Sequence, residues 1–386
     1  MSQEVVVLSS DLTSSSLPKF ESKKDFMMHL EGMMVAGEKE KEEEESEVET
    51  RGRPTELKTY IMESNNRFSQ IQQSGTLRVH PFSSGLPQIS ILRLEYVGTH
   101  AIFYVDSSDS RFLLLYTNDV ADITDKLYRR LVESTTNSFD RIWLPTEMQD
   151  KISRLSGNFF RGFGLLFDDL FAPDKKRDLP IDELRMSVSG MSSRRALSAL
   201  STDVTLRRSL CYSKIKVERG NEQSYVADEI KYNGRIITKA GSSIDDHVSL
   251  IEVVQKSYRG LIEEIERSSI GTKQIEDRTL IEGQAFDFDL DREIDDLDEF
   301  AELLLTSTKP FRLWGIVNKT SRDLRQVIGV DLHTGDPINL EITPSLIRAY
   351  LPKGACGNTI LRLYVNLQHG FDSAIRLNGE KELGAM

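Results

Sequence analysis

Cysteine, histidine and long apolar runs are what this 386-residue chain has little of. Its two cysteines, Cys211 and Cys356, lie far apart and match no C-x-x-C or zinc spacing, which argues against a disulfide framework and for a reducing compartment. A cytoplasmic location is the expectation. No basic start with an apolar core stands at the N-terminus, and runs such as Phe112 to Tyr116 fall far short of a membrane span, so no membrane partner is expected. P-loop, G-x-S-x-G, H-E-x-x-H and kinase signatures are all missing, which excludes the enzyme classes built on them. No turn is rich enough in glycine to cradle a phosphate, so neither a small-molecule nucleotide nor any other cofactor is expected.

What the chain does have is segregated charge. The formal net charge of −12 resides in two stretches: Glu38 to Glu49, with eight glutamates against two lysines, and Phe286 to Glu299, with eight acids against Arg292. Arg185 to Ala240 runs the other way, with eleven Lys and Arg against five Asp and Glu. A basic segment flanked by acidic ones can bind a polyanion or fold back on its own acids.

Apolar periodicity predicts an α+β protein of two or three small mixed-sheet units with packed helices, preceded by a mobile acidic N-terminal tail. The expected division is 1–73 as a mostly disordered tail, 74–183 as a sheet-and-helix domain, 184–285 as a basic α+β unit, 286–309 as an acidic amphipathic helix segment, and 310–378 as a C-terminal α+β unit. Met27, Met28, Met33 and Met34 in the tail form a helical patch that docks on a partner or on its own domain. Arg51-Gly52-Arg53-Pro54 resembles the core of an AT-hook, but stands alone directly behind Glu47 and Glu49; its other reading is a linker.

In 74–183, a three-stranded meander is followed by β-α-β-α-β, the order of a partly parallel sheet. Ligands of such sheets sit beyond the strand ends, here Thr117, Asn118, Asp119, Pro145, Thr146 and Glu147, residues that serve equally as helix caps. In 184–285, Asn233-Gly234 marks a hairpin and Ser243 caps a long helix. The cleanest pattern is at the C-terminal end. Ile328, Val330 and Leu332 alternate with polar or small neighbours, as do Ile338, Leu340 and Ile342, and burying both apolar sets sets Val330 opposite Ile338 with Gly335 left-handed in the turn. Phe311 to Val317, with Trp314, adds a strand. Thr343-Pro344 reads as the start of a short helix through Leu346, Ile347 and Tyr350, and Thr359 to Leu367 as a strand.

Three groups of residues carry candidate chemistry. Arg194, Arg195, Arg207, Arg208, Lys214 and Lys216 are the candidate phosphate contacts, with Tyr212 expected on the same strand face as the two lysines. Asp331, His333, His369 and Asp372 have the atoms for an acid/base or metal site. Counted from Asp287, the run Asp287, Asp289, Asp291 to Asp298 resembles an EF-hand loop, although Arg292 stands where the sharp turn wants glycine. The leading expectation is a non-catalytic binding or scaffold component beside DNA or RNA, with a protein partner, whose acidic stretches compete for the basic surface. The alternatives are a metal-dependent nuclease or phosphoesterase and a pure protein-protein assembly factor.

Overall fold

The structure, a computed structural model, describes residues 17–44, 56–64, 77–134, 139–171, 181–221, 223–275, 278–306 and 310–378. Its first sheet is built from β1 (Lys58–Ser64), β2 (Arg78–Ser83), β3 (Ile89–Tyr96), β4 (Thr99–Asp106), β5 (Phe112–Thr117), β6 (Phe139–Arg141), β7 (Phe159–Asp168), β8 (Glu183–Ser189), β9 (Tyr212–Gly220), β10 (Tyr225–Lys231) and β11 (Arg235–Gly241). The strand order is β2-β3-β4-β5-β1-β11-β10-β9-β7-β8, with β6 also pairing β1. Each ladder in it is antiparallel, so the α+β class holds and the partly parallel sheet does not. Neighbours in sequence pair through tight turns such as Asn233-Gly234, where Gly234 has φ 76°.

β1 overturns the boundary of the expected tail, because it is the central strand and all seven of its residues are buried. Lys-Thr-Tyr-Ile-Met-Glu-Ser is too polar to read as a core strand, yet Thr59, Tyr60 and Glu63 find partners far along the chain, and the Lys58 amine bonds the Glu56 carbonyl at 2.8 Å. Thr59 Oγ1 lies 2.9 Å from His247 Nε2, and the Tyr60 hydroxyl donates to Asp125 at 2.7 Å. The border expected at 183/184 also falls away, since β7 and β8 on either side of it are paired neighbours.

Helices cover both faces. In chain order these are α1 (Lys23–Glu44), α2 (Ala121–Ser134), α3 (Thr146–Ser153), α4 (Ser193–Ser201), α5 (Val204–Arg207), α6 (Ile244–Ser268), α7 (Leu297–Leu304) and α8 (Asn358–Gly370). α2 closes a smaller core of Tyr60, Leu92, Phe103, Leu115, Leu127 and Leu131 on one face. The larger core fills the other face, and there Phe26, Leu30, Met33 and Met34 of α1 are buried. Met27, Met33 and Met34 of the methionine patch therefore pack on their own domain, while Met28 is exposed. Arg51 to Pro54 lie outside the described residues.

A second sheet, in the order β15-β16-β17-β18-β14-β19, comprises β14 (Phe286–Asp289), β15 (Leu313–Ser321), β16 (Leu324–Asp331), β17 (Pro337–Ile342), β18 (Leu346–Tyr350) and β19 (Arg376–Leu377). β12 (Gly271–Ile275) and β13 (Arg278–Glu282) form a separate exposed ribbon. Since β14 pairs β18 and β19, the segment expected as an acidic helix begins with a strand of this sheet, and its helix is confined to Leu297–Leu304.

Three C-terminal expectations fail. Leu346–Tyr350 is a strand, and Thr343, whose hydroxyl accepts from Leu346 N at 3.1 Å, closes a turn where it was expected to cap a helix. Asn358–Gly370 is a helix, buried from Asn358 through Gln368; Leu361, Leu363, Val365 and Leu367 alternate as a strand would, although Thr359, Arg362 and Asn366 recur at helical spacing. In the hairpin, Gly329 faces Ile338 and Val330 faces Pro337, one residue away from the expected register. Gly335 is left-handed as expected, at φ 79°, but Arg325, Val327, Gly329 and Asp331 point inward.

The inward turn of Asp331 has a partner. Arg362 of α8 donates to Asp331 of β16 and, at 2.7 Å, to Asp140 of β6, so one guanidinium joins the two sheets. Burial alone would raise the Asp331 carboxyl, yet Arg362, the Thr359 hydroxyl and the His333 amide hold it below its ordinary value. Removing the cation leaves two buried carboxylates without their shared partner. Arg362→Met is expected to cost about 3–5 kcal/mol in urea unfolding, and a loss under about 1 kcal/mol would show that the pair does not hold the sheets together.

Candidate functional site

The six candidate phosphate contacts do not gather into one surface. Arg207 and Arg208 both reach Asp291, at 3.3 and 2.9 Å, in the acidic stretch that was expected to compete for them. Arg194 stacks over Phe160 at 4.5 Å, bonds Ser153 Oγ at 3.2 Å and has Asp150 at 3.8 Å. Lys214 meets the buried Glu229 at 2.9 Å. Lys216 donates to the Ser189 hydroxyl at 2.7 Å, and Arg195 is exposed; no carboxylate among the described residues pairs with either. The expected tyrosine-lysine face is also absent, because β9 shifts register between Gly164 and Leu165 of its neighbour β7. Tyr212 is buried in the core with Ile215 and Val217, while the lysine stems lie over Gly162 and Gly164 on the other face.

The acid/base candidates separate into two places. His333 and Asp331 do come together, in the buried joint: Arg312 Nη1 donates to His333 Nδ1 at 2.8 Å, and His333 Nε2 stands 3.8 Å from Asp140. Burial, then the neighbouring guanidinium groups, lower the His333 pKa, so it is a neutral acceptor here and not the solvated turn residue its position suggested. His369 is buried in α8, its Nδ1–H donates to the Leu166 carbonyl at 2.8 Å, and burial brings its pKa down to about 4. Asp372 instead accepts from the backbone N–H groups of Asp291 and Arg292, at 2.7 and 2.9 Å, and pins that loop.

The EF-hand resemblance dissolves in three dimensions. Asp287 makes a two-pronged pair with Arg348 at 2.6 and 2.8 Å, Asp289 ends β14, Asp291 holds the two arginines, and Asp296 caps α7. No group of three or more metal-ligating side chains comes together among the described residues. The residues expected to lie at ligand-binding strand ends are structural too: Asp119 accepts from Ile102 N at 2.8 Å, and Glu147 accepts from Gln368 Nε2 at 3.0 Å.

Three features had no clear sequence signal. A cleft of about 480 Å³ opens beside Arg208, Asp291, Arg292 and Glu293 over Phe167 and Phe371, but Arg292 is paired with Asp169 as Arg208 is with Asp291, so its cations are already spent on neighbours. Asp228, His247, Thr59 and Thr238 form a hydrogen-bonded group in triad order, with His247 Nδ1 at 2.9 Å from Asp228. All four are buried, so it braces β1, β10, β11 and α6. Finally, Glu63 accepts from Arg111 Nε at 2.8 Å and has the Cys356 thiol 3.6 Å away. Burial, with the Glu63 charge beside it, pushes the Cys356 thiol well up, and burial does the same to Cys211, so neither is an activated nucleophile.

The feature that bears on partners is a surface. On the outer face of the β15–β16 hairpin, Trp314 is 51% exposed, Ile316 59% and Ile328 62%, with Leu332 beside them. Trp314 stands across from Val330 and Ile316 across from Ile328, so these side chains form one contiguous apolar area. Ile328 and Leu332 belong to the set that the alternation pattern assigned to the core.

With this geometry in hand, the relatives can be compared. Residues 15–385 match the family described as MJECL33-like protein. The chain belongs to that family. It is 27% identical over 421 residues to the uncharacterized protein MJECL33 of Methanocaldococcus jannaschii, an alignment that covers 98% of each chain. Both sheets and the helix between them therefore lie within the matched span. No helix of the described residues is long and apolar enough to cross a membrane.

Two buried groups make stability depend on pH in opposite senses. Burial, offset by Arg111, raises the Glu63 pKa from 4.5 to about 7, so between these values the folded chain holds a proton that the unfolded chain releases, and stability falls as pH rises. For His369, at about 4 against 6.5 unfolded, the unfolded chain binds the extra proton and stability rises with pH across that window. Glu63→Gln should abolish the decline on the alkaline side. Relative to the unsubstituted chain, it should gain about 3 kcal/mol between about pH 5 and about pH 8 in urea unfolding. Parallel pH profiles for the two chains would show that Glu63 does not titrate in this range.

Proposed function

We propose that this protein is a non-catalytic assembly component that presents the outer face of its second sheet to another protein chain. The observation that carries the reading is the exposed row of Trp314, Ile316 and Ile328, since large apolar areas left open on a folded chain mark interaction sites. The chemistry elsewhere supports it: the candidate nucleophiles are neutral thiols, the histidines of the acid/base set are buried, and most candidate phosphate contacts are engaged with their own carboxylates. Ile328→Lys should change unfolding free energy by no more than about 0.5 kcal/mol at the lowest working concentration, whereas Val327→Ala on the inner face should cost about 2 kcal/mol. A loss above about 1.5 kcal/mol for Ile328→Lys would mean that the chain covers this face itself, and the reading would fail.

A second reading, nucleic-acid binding, rests on Arg195 and Lys216, the two candidate cations with no carboxylate partner among the described residues. Two contacts on a single strand give a slope of about −1.4 for log K against log salt, and six give about −4. Fluorescence anisotropy with a labelled oligonucleotide should return the shallow slope, with an affinity no tighter than about 1 μM at physiological salt. The steep slope would restore the basic segment as a phosphate-binding surface.

A further inference from the structure

We infer that the occupant of the β15–β16 face is the same face of a second copy of this chain, packed across a two-fold axis. The inference rests on the assembly reading and adds the identity of the partner.

Charge is the first argument. An isologous contact sets a patch against itself, so a patch carrying charge of one sign repels its copy. Outward positions on this hairpin are Trp314, Ile316, Asn318 and Thr320 on β15 and Gln326, Ile328, Val330 and Leu332 on β16. None is charged, in a chain where 28% of residues are Asp, Glu, Lys or Arg and the net charge is −12. At that frequency eight surface positions should hold two charges or more. Of the charges that border the face, Lys319 is neutralised by Asp298 at 2.8 Å and Arg348 by Asp287 at 2.6 Å, while Glu341, across from Gln326, accepts from the Gln326 amide at 3.2 Å and from the Tyr350 hydroxyl at 2.9 Å. A partner selected by charge would need acids or bases here to meet.

Area is the second. The open parts of Trp314, Ile316, Ile328 and Leu332 amount to about 400 Å² of apolar surface, within the range of about 300–600 Å² that the largest patch on a monomer reaches. A standard interface takes about 800 Å² from each partner, somewhat more than half of it apolar. The patch thus supplies the apolar share of one such interface, and Asn318, Thr320 and Gln326 supply an uncharged polar rim. Two twisted sheet faces pack with their strands within about 30° of each other, which a two-fold axis through the hairpin allows.

The experiment is light scattering coupled to size exclusion on the full chain, from about 0.1 to about 50 μM, the span over which interfaces of this size dissociate. The unsubstituted protein should run at twice the chain mass of 43.9 kDa at the upper end, and the double variant Ile316→Lys with Ile328→Lys at the single mass throughout. Trp314 gives a readout that needs no variant, because the other tryptophan, Trp143, is buried. As concentration rises, emission should shift to the blue and acrylamide quenching should fall by about half. A single-chain mass at every concentration overturns the inference, as does a dimer that survives both lysines or leaves Trp314 quenching unchanged. A monomer whose Ile328→Lys variant is stability-neutral removes self-pairing and leaves the open docking face standing. A destabilised Ile328→Lys removes both.

Discussion

One guanidinium sets the geometry of the whole molecule. Arg362 sits on the buried helix α8 and reaches Asp140 in the first sheet and Asp331 in the second, so three otherwise separate layers share a single cation. Leaving Arg362 unpaired in the core would be costly, and the chain is arranged so that this does not occur. For Asp331 to point inward, β16 must present Arg325, Val327, Gly329 and Asp331 to the interior. Period-two geometry then leaves Ile328, Val330 and Leu332 outside. The apolar outer face is thus a consequence of the joint and not a separate feature.

That link explains which parts of the fold could be read from residues alone. The meander β3–β5 was legible from apolar runs bounded by turn residues, the Asn233-Gly234 hairpin from its turn dipeptide, and helices α2 and α6 because each is covered on one face only, so the apolar pattern carries the right period. Central β1 and buried α8 were not. A strand whose polar side chains are satisfied by residues far along the sequence, such as Thr59 by His247, has no local signature. In α8 the alternation of Leu361, Leu363, Val365 and Leu367 masks the helical spacing of Thr359, Arg362 and Asn366, a polar stripe that is itself buried. The hairpin register failed for a different reason. Alternation reports that one face is apolar but not which way it points, and a buried ion pair outweighed four aliphatic side chains in deciding.

The candidate sites were legible to a lesser degree. Residue type identified Arg207, Arg208 and Asp291 as charges of consequence, and the three meet in ion pairs. The side chains of Glu38 to Glu49 lie outside the described residues. What sequence could not supply was convergence. His333 meets Asp331 in a sealed joint, and His369 and Asp372 point to different partners although three residues apart on the chain. Spacing along a sequence says little about spacing across a core.

Charge pairing has one further consequence for how such a chain can associate. A net charge of −12 makes two copies repel at long range, and within about 10 Å at physiological salt that repulsion is no longer screened. Only a region that is locally uncharged can approach its own kind without paying that cost twice. The β15–β16 face is such a region because the alternation placed its apolar set outside, with Lys319 and Arg325 tied to Asp298 at the hairpin's far end. The buried Arg362 joint and the surface available for contact are therefore two sides of one strand: the charge that β16 hides inward is the reason its outward side carries none.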